Sequence, residues 1–258
     1  MGRLKRFARD WNSLGKRNPY GAILTGTAGE LRQWTTEEFF ETGRVDAARF
    51  IADLERIAPA VRRGRALDFG CGVGRVTRAL ADHFQSVVGV DVASTMVSRA
   101  RLLNQSCRNC RFVVAPAAHL REFDAGHFDV VYSRLVLQHI PPALVRRYIP
   151  EFIRVLAPGG VLMFQMPGEI APEPRGAFLD APVTGNGVKQ YLPRALVRAY
   201  RLVKYRFIVE STPNMAMFGM ARDIVLDLVP VAGGRVLTTT PDQSHGPIVP
   251  GFEYWVTK

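Results

Sequence analysis

Cysteine is scarce, with three in 258 residues, which excludes a disulfide-stapled scaffold. Cys71 lies in a glycine-rich stretch, and Cys107 and Cys110 form a lone C-x-x-C. Structural zinc takes four ligands, often from two such pairs, and no second pair exists. A redox C-x-x-C opens a helix behind a strand, whereas this one precedes a predicted strand. The three thiols are expected to be structural and reduced, as suits a cytoplasmic protein. Long apolar runs are missing too. The longest stretch without a charged residue, Val155 to Gly168, is broken by Pro and Gly. A spanning helix takes about 20 apolar residues, so none is expected. Met1 to Trp11 is charged where a secretory leader would begin its apolar core. Gly2 is followed by Arg6, not by the Ser or Thr of a myristoylation site. Acidic residues are the minority, 23 against 34 Lys and Arg, for a net charge of +11. Such a surface favours anionic partners, whether nucleic acid, anionic lipid or phosphorylated or carboxylated small molecules, and charge does not choose among them.

What is present is globular. The 47% hydrophobic and 22% charged content is close to the average for folded domains, which excludes disorder and collagen. Leu4, Phe7, Ala8 and Trp11 fall at helical spacing, with Arg3, Lys5, Arg6 and Arg9 largely off that stripe. The stripe either docks on its own domain or lies on a membrane surface. Asn18-Pro19-Tyr20-Gly21 reads as a turn. Thr35 to Glu38 fits a capping box opening a short helix that ends near Gly43, and Val45 to Ala58 reads as a second helix.

From residue 64 strands and helices alternate. Strands are predicted at Arg65–Phe69, Ser86–Val90, Arg111–Ala115, Phe128–Ser133 and Val161–Gln165. Helices are predicted at Val76–Phe84, Ser94–Asn104 and Pro142–Leu156, the last with Pro150 inside it and Gly159-Gly160 behind it. This alternation predicts an α/β fold with a parallel sheet and right-handed crossovers. The rhythm breaks over 167–218, apart from a helix from Pro193 to about Val203, and the stretch reads as a substrate-side insertion or lid after the fifth strand. A helix at Arg222–Val229 and strands at Arg235–Thr239 and Phe252–Thr257 follow. The expected organisation is a helical extension or cap over 1–60 and a core over 61–258.

The chemistry sits in Ala66-Leu67-Asp68-Phe69-Gly70-Cys71-Gly72-Val73-Gly74-Arg75, a strand running into a glycine turn and then a helix. Glycines permit a sharp turn and a close ligand approach, and the helix start presents free N–H groups. Asp91 ends the next strand, where a carboxylate takes ribose hydroxyls. A nicotinamide dinucleotide fingerprint is G-x-G-x-x-G, but its last position here is Arg75. Asp68 would repel a pyrophosphate and would pair with a ligand ammonium. S-adenosylmethionine carries an ammonium and no phosphate. No P-loop motif occurs.

The sequence resembles the class I S-adenosylmethionine-dependent methyltransferases. Leu67 to Gly74 is similar to their first motif and Val88-Gly89-Val90-Asp91-Val92-Ala93-Ser94-Thr95-Met96 to their second. Phe128-Asp129-Val130-Val131-Tyr132-Ser133 and Arg154-Val155-Leu156-Ala157-Pro158-Gly159-Gly160 are similar to the two later ones. The resemblance implies a Rossmann-like, doubly wound, mostly parallel seven-stranded sheet. It also implies that Asp68, Gly70, Cys71, Gly72 and Gly74 hold the methionine part and that Asp91 takes the ribose. Val92 and Met96 would flank the adenine, with Ala117 and Ala118 reaching it through backbone atoms. Ser133 to Leu135 would line the methyl-donor end, Ser133 and Leu135 foremost. Many relatives carry an Asp after the third strand, where Pro116 stands here.

A hydroxyl or amine acceptor must lose a proton, and an alcohol gains from a general base. His139, just past the fourth strand, is the candidate base. Its alternative role is to hydrogen-bond a neighbouring loop. Glu169 is a candidate to orient a base or a substrate hydroxyl, while His83, His119, His127 and His245 have no evident role. No metal-ligand spacing stands out. Ile140 precedes Pro141-Pro142, so the Asn- or Asp-Pro-Pro-aromatic motif of base-amine methylation is absent. Trp11 to Pro19 resembles a leader of bacterial methyltransferases acting on small molecules or sugars. Phe39, Phe40 and the segment from Asn214 to Met220 are candidates to wall an apolar pocket, or ordinary core. The leading expectation is an enzyme methylating a hydroxyl of a small molecule or glycan. The alternatives are an RNA methyltransferase, suggested by the net charge with Arg194, Arg198 and Arg201, and a non-catalytic protein held at membranes by the basic N-terminal helix.

Overall fold

The computed structural model describes residues 2–24, 33–115, 118–168, 217–243 and 250–258, with side chains from Phe7 onward. Apart from residues 167–168 and 217–218, the expected insertion lies outside these. So do its helix from Pro193, Glu169, His245, Ala117 and the Arg194, Arg198 and Arg201 face.

Seven strands form one sheet: β1 (Arg65–Phe69), β2 (Ser86–Asp91), β3 (Cys110–Val114), β4 (Phe128–Ser133), β5 (Leu156–Pro167), β6 (Arg235–Asp242) and β7 (Gly251–Thr257). Their order is β3-β2-β1-β4-β5-β7-β6. β1 to β5 pair in parallel, and β7 runs antiparallel between β5 and β6. The expected α/β sheet is thus present. The chain winds outward from β1 to β3, then returns to place β4 beside β1. Such a reversal opens a crevice at the carboxyl ends of the two strands.

The helices are α1 (Gly2–Arg17), α2 (Pro19–Ile23), α3 (Thr36–Ile57), α4 (Arg75–Leu80), α5 (Ser94–Leu103), α6 (Pro142–Val155) and α7 (Arg222–Val231). Parallel strands bury both faces, and side chains alternate between them with period two. Leu67, Phe69, Val131, Leu162 and Phe164 pack with Tyr148 and Phe152 of α6 and Val225 and Val229 of α7. Ala66, Val130, Tyr132, Val161, Met163 and Trp255 face the other way, against Phe50 and Leu54 of α3 and Leu80 of α4. Phe50 stacks on Trp255 with ring centroids 5.5 Å apart.

Several expected elements differ. Residues 18–21 open a helix instead of a turn, because the Asn18 side chain caps it by accepting from Gly21 N at 3.0 Å. The two short helices over 35–58 are one helix, α3, opened by the expected capping box. Gly43 does not end it. A Cβ at Gly43 would strike the carbonyl oxygen of Arg75, so the glycine lets α3 press against α4. Alanine in a helix interior normally gains about 1 kcal/mol over glycine. Gly43→Ala is expected to cost about 1–3 kcal/mol instead, because overpacking must part the two helices. Urea unfolding of the variant checks this, and a gain would refute it.

α4 stops at Leu80, short of Phe84, and the Asn109 side chain donates to the carbonyls of Ala81 and Phe84 at 2.9 and 3.1 Å. β5 starts at Leu156 and runs through Gly159-Gly160 as an irregular stretch, with the register slipping between Phe128 and Val130. A Cβ at Gly160 would lie 2.8 Å from the Asp129 carbonyl oxygen. Cys107 and Cys110 are a disulfide, not reduced thiols. A tight turn, Cys110 N to Cys107 O at 3.3 Å, brings their Cα atoms to 5.4 Å, within bonding range for a bridge. These two cysteines therefore give no argument for a reducing compartment. Cys71 is free and buried.

Candidate active site

The turn after β1 is built by Gly70, Gly72 and Gly74, at φ of 81°, 54° and 85°. An L side chain is strained in this region, and space is short as well. A Cβ on Gly70 would strike Val136, and one on Gly72 would lie 2.5 Å from Ile23 Cδ1. Gly70 N and Cys71 N donate to Val90 O at 2.7 and 3.0 Å, pinning the turn to β2.

Two carboxylates flank it. Asp91 Oδ2 accepts from Gly72 N at 3.0 Å and Oδ1 from Ala93 N at 2.8 Å. Asp68 is buried, and its Oδ2 accepts from the Thr77 hydroxyl at 2.6 Å. Burial pushes the Asp68 carboxyl up to about 6, against the opposing pull of the Thr77 hydroxyl and the Arg75 charge. Burial likewise pushes Asp91 up to about 6, with the amides of Ala93 and Gly72 opposing. A carboxylate has about four acceptor positions, so both retain lone pairs for a ligand.

A cavity opens over the turn at the β1/β4 crevice. Among the expected residues, Asp68, Gly70, Cys71, Gly72, Asp91, Val92, Met96, Leu135 and His139 line it. Gly74, Ala118 and Ser133 are not on its wall. Gly74 instead begins α4 and packs closely on Asn104 and Phe112. Ala118 packs on the core. Ser133 is fully buried, and its Oγ has no hydrogen-bond partner among the described residues. Neither Phe39 nor Phe40 walls the cavity; both are buried in the cluster beneath α2 and α3.

His139 ends a 3-10 turn, Leu137–His139. Its Nε2 lies 3.1 Å from Gln138 Nε2, and its ring meets Trp11 edge-on at 5.2 Å. Leu135, just before, holds a left-handed φ of 60°. Its amide donates to Gln165 Oε1 at 2.8 Å, and Gln165 Nε2 donates to Asp242 Oδ2 at 2.7 Å.

Several lining residues were not foreseen as site residues: Phe7 and Trp11 of α1, Ile23, Arg75, Tyr132 and Tyr148; Arg134, inside the stretch from Ser133 to Leu135 expected at the donor end, lines it too. The helical stripe had put Phe7 and Trp11 on one apolar face, to dock on the domain or on a membrane, without saying what they cover. Arg134 is the centre of a charge cluster. Its guanidinium lies 3.2 Å from Asp46, 3.6 Å from Asp242 and 3.4 Å from Glu253, and Asp46 also meets Arg75 at 2.7 Å. Among the described residues no group of three His, Cys, Asp or Glu is placed to hold a metal. No described helix is long and apolar enough to cross a membrane.

Residues 67–164 match the family described as a methyltransferase domain. That span begins in β1 and ends in β5, enclosing the glycine turn, Asp91 and His139. Over these residues the chain is similar to S-adenosylmethionine-dependent methyltransferases. It is similar to a trans-aconitate 2-methyltransferase of Deinococcus radiodurans, 34% identical over 52% of this chain and 49% of that protein. It is also similar to phosphoethanolamine N-methyltransferase 3 of Arabidopsis thaliana, 33% identical over 49% of this chain and 25% of that one. The chain spans about half the length, or less, of these curated relatives. Among solved structures, magnesium protoporphyrin IX methyltransferase from Synechocystis PCC 6803, with bound S-adenosylhomocysteine, shares the fold. Its TM-score is 0.60, with 16% identity over 99% of each chain.

Proposed function

We propose that this protein is a methyltransferase that moves a methyl group from S-adenosylmethionine to a hydroxyl of a small molecule or glycan. The observation that carries this is the pair of carboxylates around the glycine turn, in one cavity with His139. The donor set fits the cofactor and not a phosphate-bearing one: Asp68 suits an ammonium, and Asp91 a ribose diol. Bound there, the cofactor supplies a methyl group already activated by its sulfonium. The chain's own contribution is alignment and exclusion of water. Asp91 is aimed by the two amides it accepts from. Val92 and Met96 offer apolar flanks for the adenine, and Leu135 borders the donor end. His139, steadied by Trp11 and Gln138, is placed to take the acceptor's proton, which is why oxygen is preferred here over nitrogen. The relatives include an N-methyltransferase by name, and a labelled-methyl screen over phenols, sugars, amines, lipids and RNA tests the preference. Labelling of amines alone would refute it. The membrane-held alternative is disfavoured because Phe7 and Trp11 turn inward to the cavity.

A pH dependence follows. Both carboxyl groups titrate near 6 in the folded protein, above their ordinary value of 3.8. Between those values the fold binds more protons than the unfolded chain. For these two groups stability therefore falls as pH rises through that window. Ligand binding has the opposite sign, because only the ionised Asp68 pairs with an ammonium. S-adenosylhomocysteine affinity is expected to rise as pH increases through about 6 and to level off above it. Calorimetric titration from pH 5 to 8 checks this, and a flat profile would remove Asp68 as the ammonium partner.

A further inference from the structure

We infer that Asn12 is a positioning residue that clasps α1 to α5 beside the cofactor cavity, coupling cofactor retention to the placement of His139. This rests on the cofactor reading above. α5 starts at Ser94 with Ala93 before it and no side-chain cap of its own. The first amides of a helix lack intrahelical partners. Asn12 supplies one from a distant part of the chain: its Oδ1 accepts from Thr95 N at 2.9 Å and from Ser94 Oγ at 3.1 Å. Thr95 Oγ1 donates back to the Asn12 carbonyl at 3.0 Å, and Asn12 Nδ2 is anchored on Ala8 O at 2.8 Å. The clasp continues along that side of α1. Gly15 is buried against α5, and a Cβ there would lie 2.6 Å from Thr95 Oγ1. Arg99 Nη2 donates to Lys16 O at 3.3 Å.

A neighbouring side of α1 faces the site. Phe7 and Trp11 line the cavity, Leu14 packs on the cluster holding Ala93 and Met96, and Trp11 meets His139. One helix thereby reaches from the adenine side, where it is fastened, to the expected base, which it steadies. Asn12 itself does not line the cavity. Its side chain acts on the chemistry only through α1.

The test compares wild type, Asn12→Ala and Asn12→Asp. The Asp variant keeps an oxygen acceptor facing Thr95 N. Trypsin cleavage after Lys16 and Arg17, followed by mass spectrometry without ligand, reports opening of α1. Calorimetry with S-adenosylhomocysteine reports retention. Loss of a helix cap sets the scale. Asn12→Ala is expected to be cleaved about fivefold faster and to bind about fivefold more weakly, while Asn12→Asp, which keeps the acceptor but loses the donor to Ala8 O, is expected to lie between Ala and wild type in both. If Asn12→Ala fails to fold, Gly15→Ala serves, with the same direction expected. Unchanged cleavage and affinity in the Ala variant would overturn the clasp, as would an Asp variant no better than Ala. Faster cleavage with unchanged affinity would overturn the coupling to the cofactor. If the wild type binds no S-adenosylhomocysteine, the cofactor reading falls and the coupling with it, while the ligand-free cleavage rates still decide the clasp.

Discussion

Asp91→Ala is expected to weaken S-adenosylhomocysteine binding at least tenfold, about 1.4 kcal/mol. Two losses add here. The ribose diol loses its acceptor, and the amides of Gly72 and Ala93 lose theirs. An amide left without a partner in a buried setting costs about 1–3 kcal/mol. The turn that Asp91 holds is the same turn that approaches the ligand, so the second loss also blurs the cavity's shape. Asp91→Asn separates the two, since its amide oxygen still accepts one N–H while its NH2 cannot accept from a hydroxyl. An intermediate affinity is expected for it. Calorimetry on both variants reads the result, and an unchanged dissociation constant for Asp91→Ala would break the ribose assignment.

His139→Ala is expected to leave S-adenosylhomocysteine affinity within about twofold and to lower turnover by about 10²–10⁴, the usual contribution of a general base. The split between binding and turnover is the diagnostic. His139 also supports Trp11, so truncation alone would loosen packing. His139→Gln, which refills part of that space without a basic ring, keeps the test clean. Both variants should bind and neither should turn over. Full activity in either would leave His139 as a loop residue only. The measurement needs an acceptor, and the labelled-methyl screen comes first.

The lining of the candidate site was legible where it is local. Asp68, Gly70, Gly72 and Asp91 lie at the ends of two consecutive strands, and a strand, a glycine turn and a helix read directly from the chain. The cavity holds them where that reading places them. Gly74 shows its limit: spacing puts it in the turn, but only the packing on Asn104 and Phe112 reveals that it faces away from the cavity. The Arg134 cluster draws on Asp46, Asp242 and Glu253, from α3, β6 and β7, and no local pattern joins such positions. The same holds for Asn12 and Thr95. Gly43 misled because glycine is a helix terminator when it meets solvent and a spacer when it meets another helix. The Cys107–Cys110 bridge was missed because compartment was inferred from cysteine count, whereas the turn between the two had already decided their separation.

β7 lies between β5 and β6, although it follows both in the sequence. During synthesis the amino-terminal strands emerge first. From residue 167, where β5 ends, until residue 251, where β7 begins, that margin of the nascent sheet has no native neighbour. Bare strand margins recruit foreign strands. Throughout the same interval Arg134 also lacks Glu253. The growing polypeptide thus passes through a stretch of translation in which a sheet margin is bare and the Arg134 charge cluster is incomplete, the interval in which a holding chaperone would matter most.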